Sequence, residues 1–158
     1  MAEKQAVRKP EESQALWVLG GLYEVRVSSD ETAGTATVME FTIPEGAAPP
    51  LHTHTQHEIV HILEGKARYH VDGEVTEVGP GDVVNLPVGT VESFEAVGQV
   101  RMLITYIPGG MDKFFNEIGE PATERRVPDP LTEAPDIDRV AEVGARYGLQ
   151  IAGPPPGQ

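Results

Sequence analysis

Between Ala15 and Ile107 the chain holds no hydrophobic pattern for longer than one strand: short β-rich runs alternate with turn signals at roughly the 8–12-residue spacing of a sandwich or barrel. No helical period interrupts the stretch, so the core must be all-β. The clearest run is 35–43, where Thr35, Thr37, Met39, Phe41 and Ile43 share one face and Ala36, Val38, Glu40 and Thr42 the other. Its more apolar face should point inward. Further strands are predicted at about 58–63, 67–71 and 75–78, the last following Asp72-Gly73, a dipeptide suited to a tight hairpin. Gly79-Pro80-Gly81-Asp82 and Pro87-Val88-Gly89-Thr90 bracket one short strand, 91–96 and 100–107 supply two more, and 15–27 one or two at the start.

Helical spacing begins only after the core. Met111, Phe114, Phe115 and Ile118 fall at i, i+3, i+4 and i+7, and Gly119 and Pro121 stop that helix. Its apolar face reads either as core packing, the simpler account, or as a lid over a barrel mouth. A second helix is expected at 137–147, capped by Asp136 and ended by Gly148, with 121–135 as an extended arm between them. The chain thus divides into a flexible N-terminal arm (1–14), a β core (15–108), a helical extension (109–152) and a disordered tail (153–158).

Composition narrows the chemistry. The 158 residues carry 25 acidic and 12 basic side chains, a formal charge of −13, which argues against nucleic acid and anionic membrane surfaces as partners. With no cysteine, any metal must be held by nitrogen and oxygen. The N-terminal stretch lacks the apolar centre of a signal peptide and no run is long enough to span a membrane, so a cytoplasmic protein is expected.

Four of the five histidines fall in PPLHTHTQHEIVHILEG, residues 49–65. His52 and His54 are two apart and project from one face of an extended segment, and Glu58 leads the next strand. Two imidazoles and a carboxylate leave coordination positions open, as in non-haem iron sites. A His-x-His pair alone fits an exposed polar strand just as well. His57 follows a turn at Thr55-Gln56 and reads as a rim or solvent residue, while His61 and His70 read as structural or exposed.

Gly46-x5-His52-x-His54-x3-Glu58-x6-Gly65 resembles the first motif of the cupin superfamily at every defined position, and Gly81-x5-Pro87-x-Gly89 resembles the start of the second. The stretch MDKFFNEIGEPA is similar to that of small single-domain bacterial cupins, a group that includes quercetin 2,3-dioxygenase-like proteins. The match departs where the family has a histidine and an asparagine: Glu92 and Ala96 stand there instead. The resemblance implies a jelly-roll barrel with one or two C-terminal helices, and His52, His54 and Glu58 as ligands of a divalent transition metal: iron, manganese, nickel or zinc. Glu92 shares an inward face with Phe94 and can be read as a fourth ligand, a general acid or base, or a surface carboxylate marking a lost metal site. A carboxylate ligand would be lowered in pKa by the ion, and a buried one among other carboxylates raised.

The expected function is that of a metal-dependent enzyme, most of all a dioxygenase, acting on a small apolar or aromatic, flavonol- or polyketide-like molecule in a pocket lined by Met39, Phe41 and Phe94, with Glu58 or Glu92 moving a proton. A non-redox isomerase or cyclase and a non-catalytic binding protein are the alternatives. A homodimer paired through sheet edges is also expected.

Overall fold

Alternation of inward apolar and outward polar side chains carries nearly half of the chain into strands, and these form one sheet rolled into a barrel. The structure is a computed structural model and describes residues 3–157. Along the chain come β1 (Gln14–Val18), β2 (Gly21–Val27), β3 (Thr37–Ile43), β4 (Leu51–His54), β5 (His57–Val71), β6 (Glu74–Val78), β7 (Val83–Leu86) and β8 (Glu92–Ile107). Then follow α1 (Met111–Ile118), β9 (Glu120–Pro121), α2 (Ile137–Ala145) and β10 (Leu149–Gly153). One wall runs β9-β1-β2-β3-β8-β5-β7 and the other β10-β4-β8-β5-β6, so β5 and β8 belong to both. Met39, Val60, Ile62, Met102 and Ile104 are fully buried between them. The all-β jelly roll with two C-terminal helices is the expected fold.

The two long strands differ from the reading of the sequence, which breaks each into two. They pair antiparallel from His57↔Ile107 to Val71↔Glu92, and the register shifts on both sides of Glu64. Inward residues on β5 accordingly pass from even positions, Glu58, Val60 and Ile62, to odd ones, Ala67 and Tyr69. A bulge of this kind bends a strand without ending it, which is how one strand serves two walls. Gly65 makes the bend sterically feasible: its φ is +75°, and a Cβ there would lie 2.0 Å from the Gln99 carbonyl oxygen. At the far end of β5, Asp72 and Gly73 have φ of +48° and +88°, the paired positive values of the tight hairpin turn that the dipeptide favours.

The α1 bounds agree with the spacing of its apolar residues, and α2 begins where Asp136 accepts a hydrogen bond from the Arg139 amide at 3.0 Å. β9 and β10 are additions. β10 pairs with β4, Ile151 opposite His52 and Leu149 opposite His54, where a helical extension was expected; Gly153, expected in the tail, ends the strand. Leu149, Gln150 and Ile151 alternate for too few positions to mark a strand by period, and pairing with β4 supplies the missing stabilisation. The Leu51 amide also donates to the Pro154 carbonyl at 3.3 Å. At the other end, where a flexible arm was expected, the Lys4 amide donates to the Glu31 carbonyl at 2.9 Å and Arg8 grips the Glu31 carboxylate with two hydrogen bonds, 2.8 and 2.9 Å. Residues 1, 2 and 158 of the expected arm and tail lie outside the described residues.

Candidate metal centre

Strand alternation sends His52 and His54 from β4 into the barrel, between β10 on one side and β8 on the other. His52 stands directly across from Glu92. Each imidazole is oriented through its Nδ1: that of His52 is 2.8 Å from the Pro50 carbonyl and that of His54 2.9 Å from the Gln56 carbonyl. A carbonyl only accepts, so Nδ1 carries the proton in both rings and a neutral ring offers Nε2 as a lone pair. Both Nε2 atoms face Glu92 Oε1, at 3.7 Å from His52 and 3.8 Å from His54. These three donor atoms lie within 4.8 Å of one another. Ligand atoms bound at about 2.1 Å in a tetrahedral arrangement stand about 3.4 Å apart, so the donor set fits a divalent ion in type and approximate spacing.

Glu58 enters from β5 on the same inward face, its Oε2 2.7 Å from His54 Nε2. The resemblance implies His52, His54 and Glu58 as ligands; the geometry groups the histidines with Glu92 and sets Glu58 against the nitrogen that His54 would offer. Glu92 is 3% exposed, which removes its reading as a surface carboxylate. The remaining histidines stand apart. His57 Nε2 bonds Asn85 Oδ1 on β7, His61 is exposed, and His70 Nε2 meets Glu95 Oε1 at 2.9 Å.

Without an ion, the buried acids and bases hold one another. Burial opposes charge on His54, but the hydrogen bond to Glu58 and the proximity of Glu92 outweigh it and raise the imidazole to about 10. Burial would raise Glu58, yet His54 holds it below the ordinary carboxylate range. Glu92 is pushed up by burial and then by the Glu58 charge, so it is a neutral acid beside an ion pair. His52 is lowered by burial, against the pull of the Pro50 carbonyl. A cation in this site would take over the role of the protons on His54 and Glu92.

His52, Glu58 and Glu92 stand at one side of an apolar cavity of about 50 Å³, and His54 is not in its lining. Phe41 and Phe94 line it; Met39, expected beside them, is fully buried in the packed core and is not part of the lining. All four apolar residues of α1, Met111, Phe114, Phe115 and Ile118, line the cavity, so this helix both packs and closes one end of the barrel. Asp112 fixes it there, accepting from the Ser29 amide at 3.0 Å and the Thr37 hydroxyl at 2.9 Å.

Residues 39–107 match the cupin domain family. Those residues form a cupin domain. This cupin is 32% identical over 103 residues to the quercetin 2,3-dioxygenase of Bacillus subtilis, an alignment that covers 64% of this chain and 31% of that one. It therefore spans about a third of that relative. Among solved structures, an RmlC-like cupin from Shewanella frigidimarina superposes with a TM-score of 0.63 at 16% identity, covering 72% of this chain and 99% of the other. The polyketide cyclase RemF from Streptomyces resistomycificus superposes with a TM-score of 0.60 at 17% identity, covering 91% and 99%. At such identities these two likenesses concern the fold.

Some residues that build the cupin site are not singled out by the sequence. Gln56 is buried, carries the carbonyl that orients His54, and donates through Nε2 to the Tyr147 carbonyl at 3.1 Å, tying the histidine turn to the end of α2. Tyr23 and Tyr106 line the cavity. For Tyr106 the signal was parity, since it falls on the even-numbered inward face of Glu92 and Phe94, but an assumed break at 97–99 prevents that parity from being carried along β8.

Proposed function

We propose that this cupin is a metal-dependent enzyme acting on a small aromatic, flavonol- or polyketide-like molecule, with dioxygenase-type chemistry. The convergence of His52 Nε2, His54 Nε2 and Glu92 Oε1 at the wall of an aromatic cavity carries the reading. His52, His54 and Glu92 would hold the ion, with Glu58 within reach of the same centre through His54. A bound transition metal would supply Lewis acidity and, if redox-active, access to oxygen chemistry. Phe41, Phe94, Phe114 and Phe115 bind the flat apolar body of the substrate and keep water from it. Glu58, buried beside His54, is the carboxylate left to take a phenol or enol proton. The identity with the quercetin dioxygenase supports this choice of reaction.

A non-redox, metal-dependent isomerase or cyclase is the second reading, favoured by a second buried carboxyl beside the donor set: with the ion on His52, His54 and Glu92, Glu58 would remain to move a proton. Oxygen uptake by the metal-loaded protein separates the two. Consumption of oxygen in step with loss of a flavonol is expected, whereas full turnover under strict anaerobiosis would overturn the dioxygenase assignment in favour of the second.

A further inference from the structure

Three tyrosines are buried inside the barrel, Tyr23, Tyr69 and Tyr106, at 4%, 1% and 3% exposure. Tyr69 does not line the cavity, and its hydroxyl is directed to Met102 Sδ at 3.5 Å. The other two do line it, and among the described residues neither hydroxyl is bonded to a protein group or sealed away as a buried unpaired atom, so both are open to the cavity. A hydroxyl that the fold leaves unpaired and open to an apolar cavity is free to bond a molecule held there. Both rings are held in place. Tyr23 stacks on Phe41 with centroids 3.8 Å apart and meets the Phe115 edge at 4.9 Å; Tyr106 stands opposite Glu58 in the β5–β8 ladder, its ring 5.7 Å from that of His54 and 6.4 Å from Phe115. The two phenols thus flank Phe115 on the α1 side of the metal donors.

We propose that Tyr23 and Tyr106 are ligand-binding residues, whose hydroxyls donate to the carbonyl or phenolic oxygens of an oxygenated aromatic molecule lying against Phe115. This deepens the proposed function and rests on it only in placing the ligand in the same cavity. A neutral phenol is both a hydrogen-bond donor and an acceptor, but an oxygen-rich aromatic presents mainly acceptors to it. The specificity that follows is of the strong kind: a site built to bond an oxygen rejects the analogue that lacks it, because its own polar groups are then left unpaired.

Binding to the metal-free protein tests this apart from turnover. Juglone, a hydroxylated naphthoquinone, and naphthalene are titrated against the wild type, Tyr23→Phe and Tyr106→Phe, and melting temperatures are recorded for all three proteins. Each substitution is expected to weaken juglone about 5- to 10-fold, the worth of one such hydrogen bond. Naphthalene affinity should hold or rise, and Tm should stay close to that of the wild type. Equal loss for both probes, a lowered Tm with unchanged juglone affinity, or no binding of juglone to the wild type overturns the inference. Selective loss of juglone binding by a protein that shows no metal-dependent turnover would retain it and refute only the catalytic reading.

Discussion

At the scale of single residues, the site is defined by which nitrogen each histidine keeps free. Pro50 and Gln56 carbonyls occupy both Nδ1 atoms and leave both Nε2 atoms toward Glu92. His52→Ala should lower metal affinity at least about 100-fold, and Glu92→Gln at least about 10-fold, by competition titration. Full affinity with turnover reduced about 10²- to 10⁴-fold in Glu92→Gln would make Glu92 an acid or base instead. Gln56→Ala, which touches no ligand atom, should cost about 10-fold in affinity by loosening the turn that aims His54. Acidity has a defined sign here. His54 is raised to about 10 in the metal-free fold, so its ion pair stabilises fully below its ordinary value of about 6.5 and is lost as pH rises through about 10. Metal competes with that proton, so affinity should rise with pH over the same range. His52, His54 and Glu58 were legible in the sequence because the resemblance supplied their spacing, and Glu92 because it broke the pattern. The hydrogen bond from His54 to Glu58 was not legible, since spacing along two strands does not say which donor atoms meet.

Among elements, the strands that matter most are those that bend. β5 and β8 carry the site from one wall to the other, and the shift of inward positions at Gly65 sets Glu58 and Tyr69 on the same interior. Gly65→Ala combines a left-handed backbone with a contact against the Gln99 carbonyl, and should destabilise by about 3 kcal/mol in a denaturant titration. α1 owes its place over the cavity to Asp112. Asp112→Ala leaves the Ser29 amide and the Thr37 hydroxyl without their buried acceptor and should cost about 1–3 kcal/mol by the same measurement. The helices were readable to within a few residues, because apolar spacing, an Asp cap and stop signals agree. β10 was not readable, because its reason for being a strand lies in β4, far away in sequence. Near Gly65 and Gly98 the sequence reads as strand ends, yet both strands run on through a bend there, a distinction that only the partner strand resolves.

For the whole molecule, the ends of the chain are tied to the barrel: Arg8 to Glu31 at one terminus, β10 to β4 at the other. The Arg8 hydrogen bonds lower Glu31 from its ordinary 4.5 to about 2. Its contribution is therefore present above about 4.5 and lost as pH falls through about 2, so the Tm gap between wild type and Glu31→Gln should be full at pH 7 and close near pH 2. Inside the barrel an aromatic cavity stands beside donors for an ion. Whether that ion is held is the question on which the functional reading stands. Elemental analysis of protein stripped with a chelator and reconstituted in turn with iron, manganese, nickel and zinc answers it most directly. About one tightly held ion per chain is expected, absent from His52→Ala. A wild type that retains none of the four, or a His52→Ala variant that retains as much as the wild type, would contradict it.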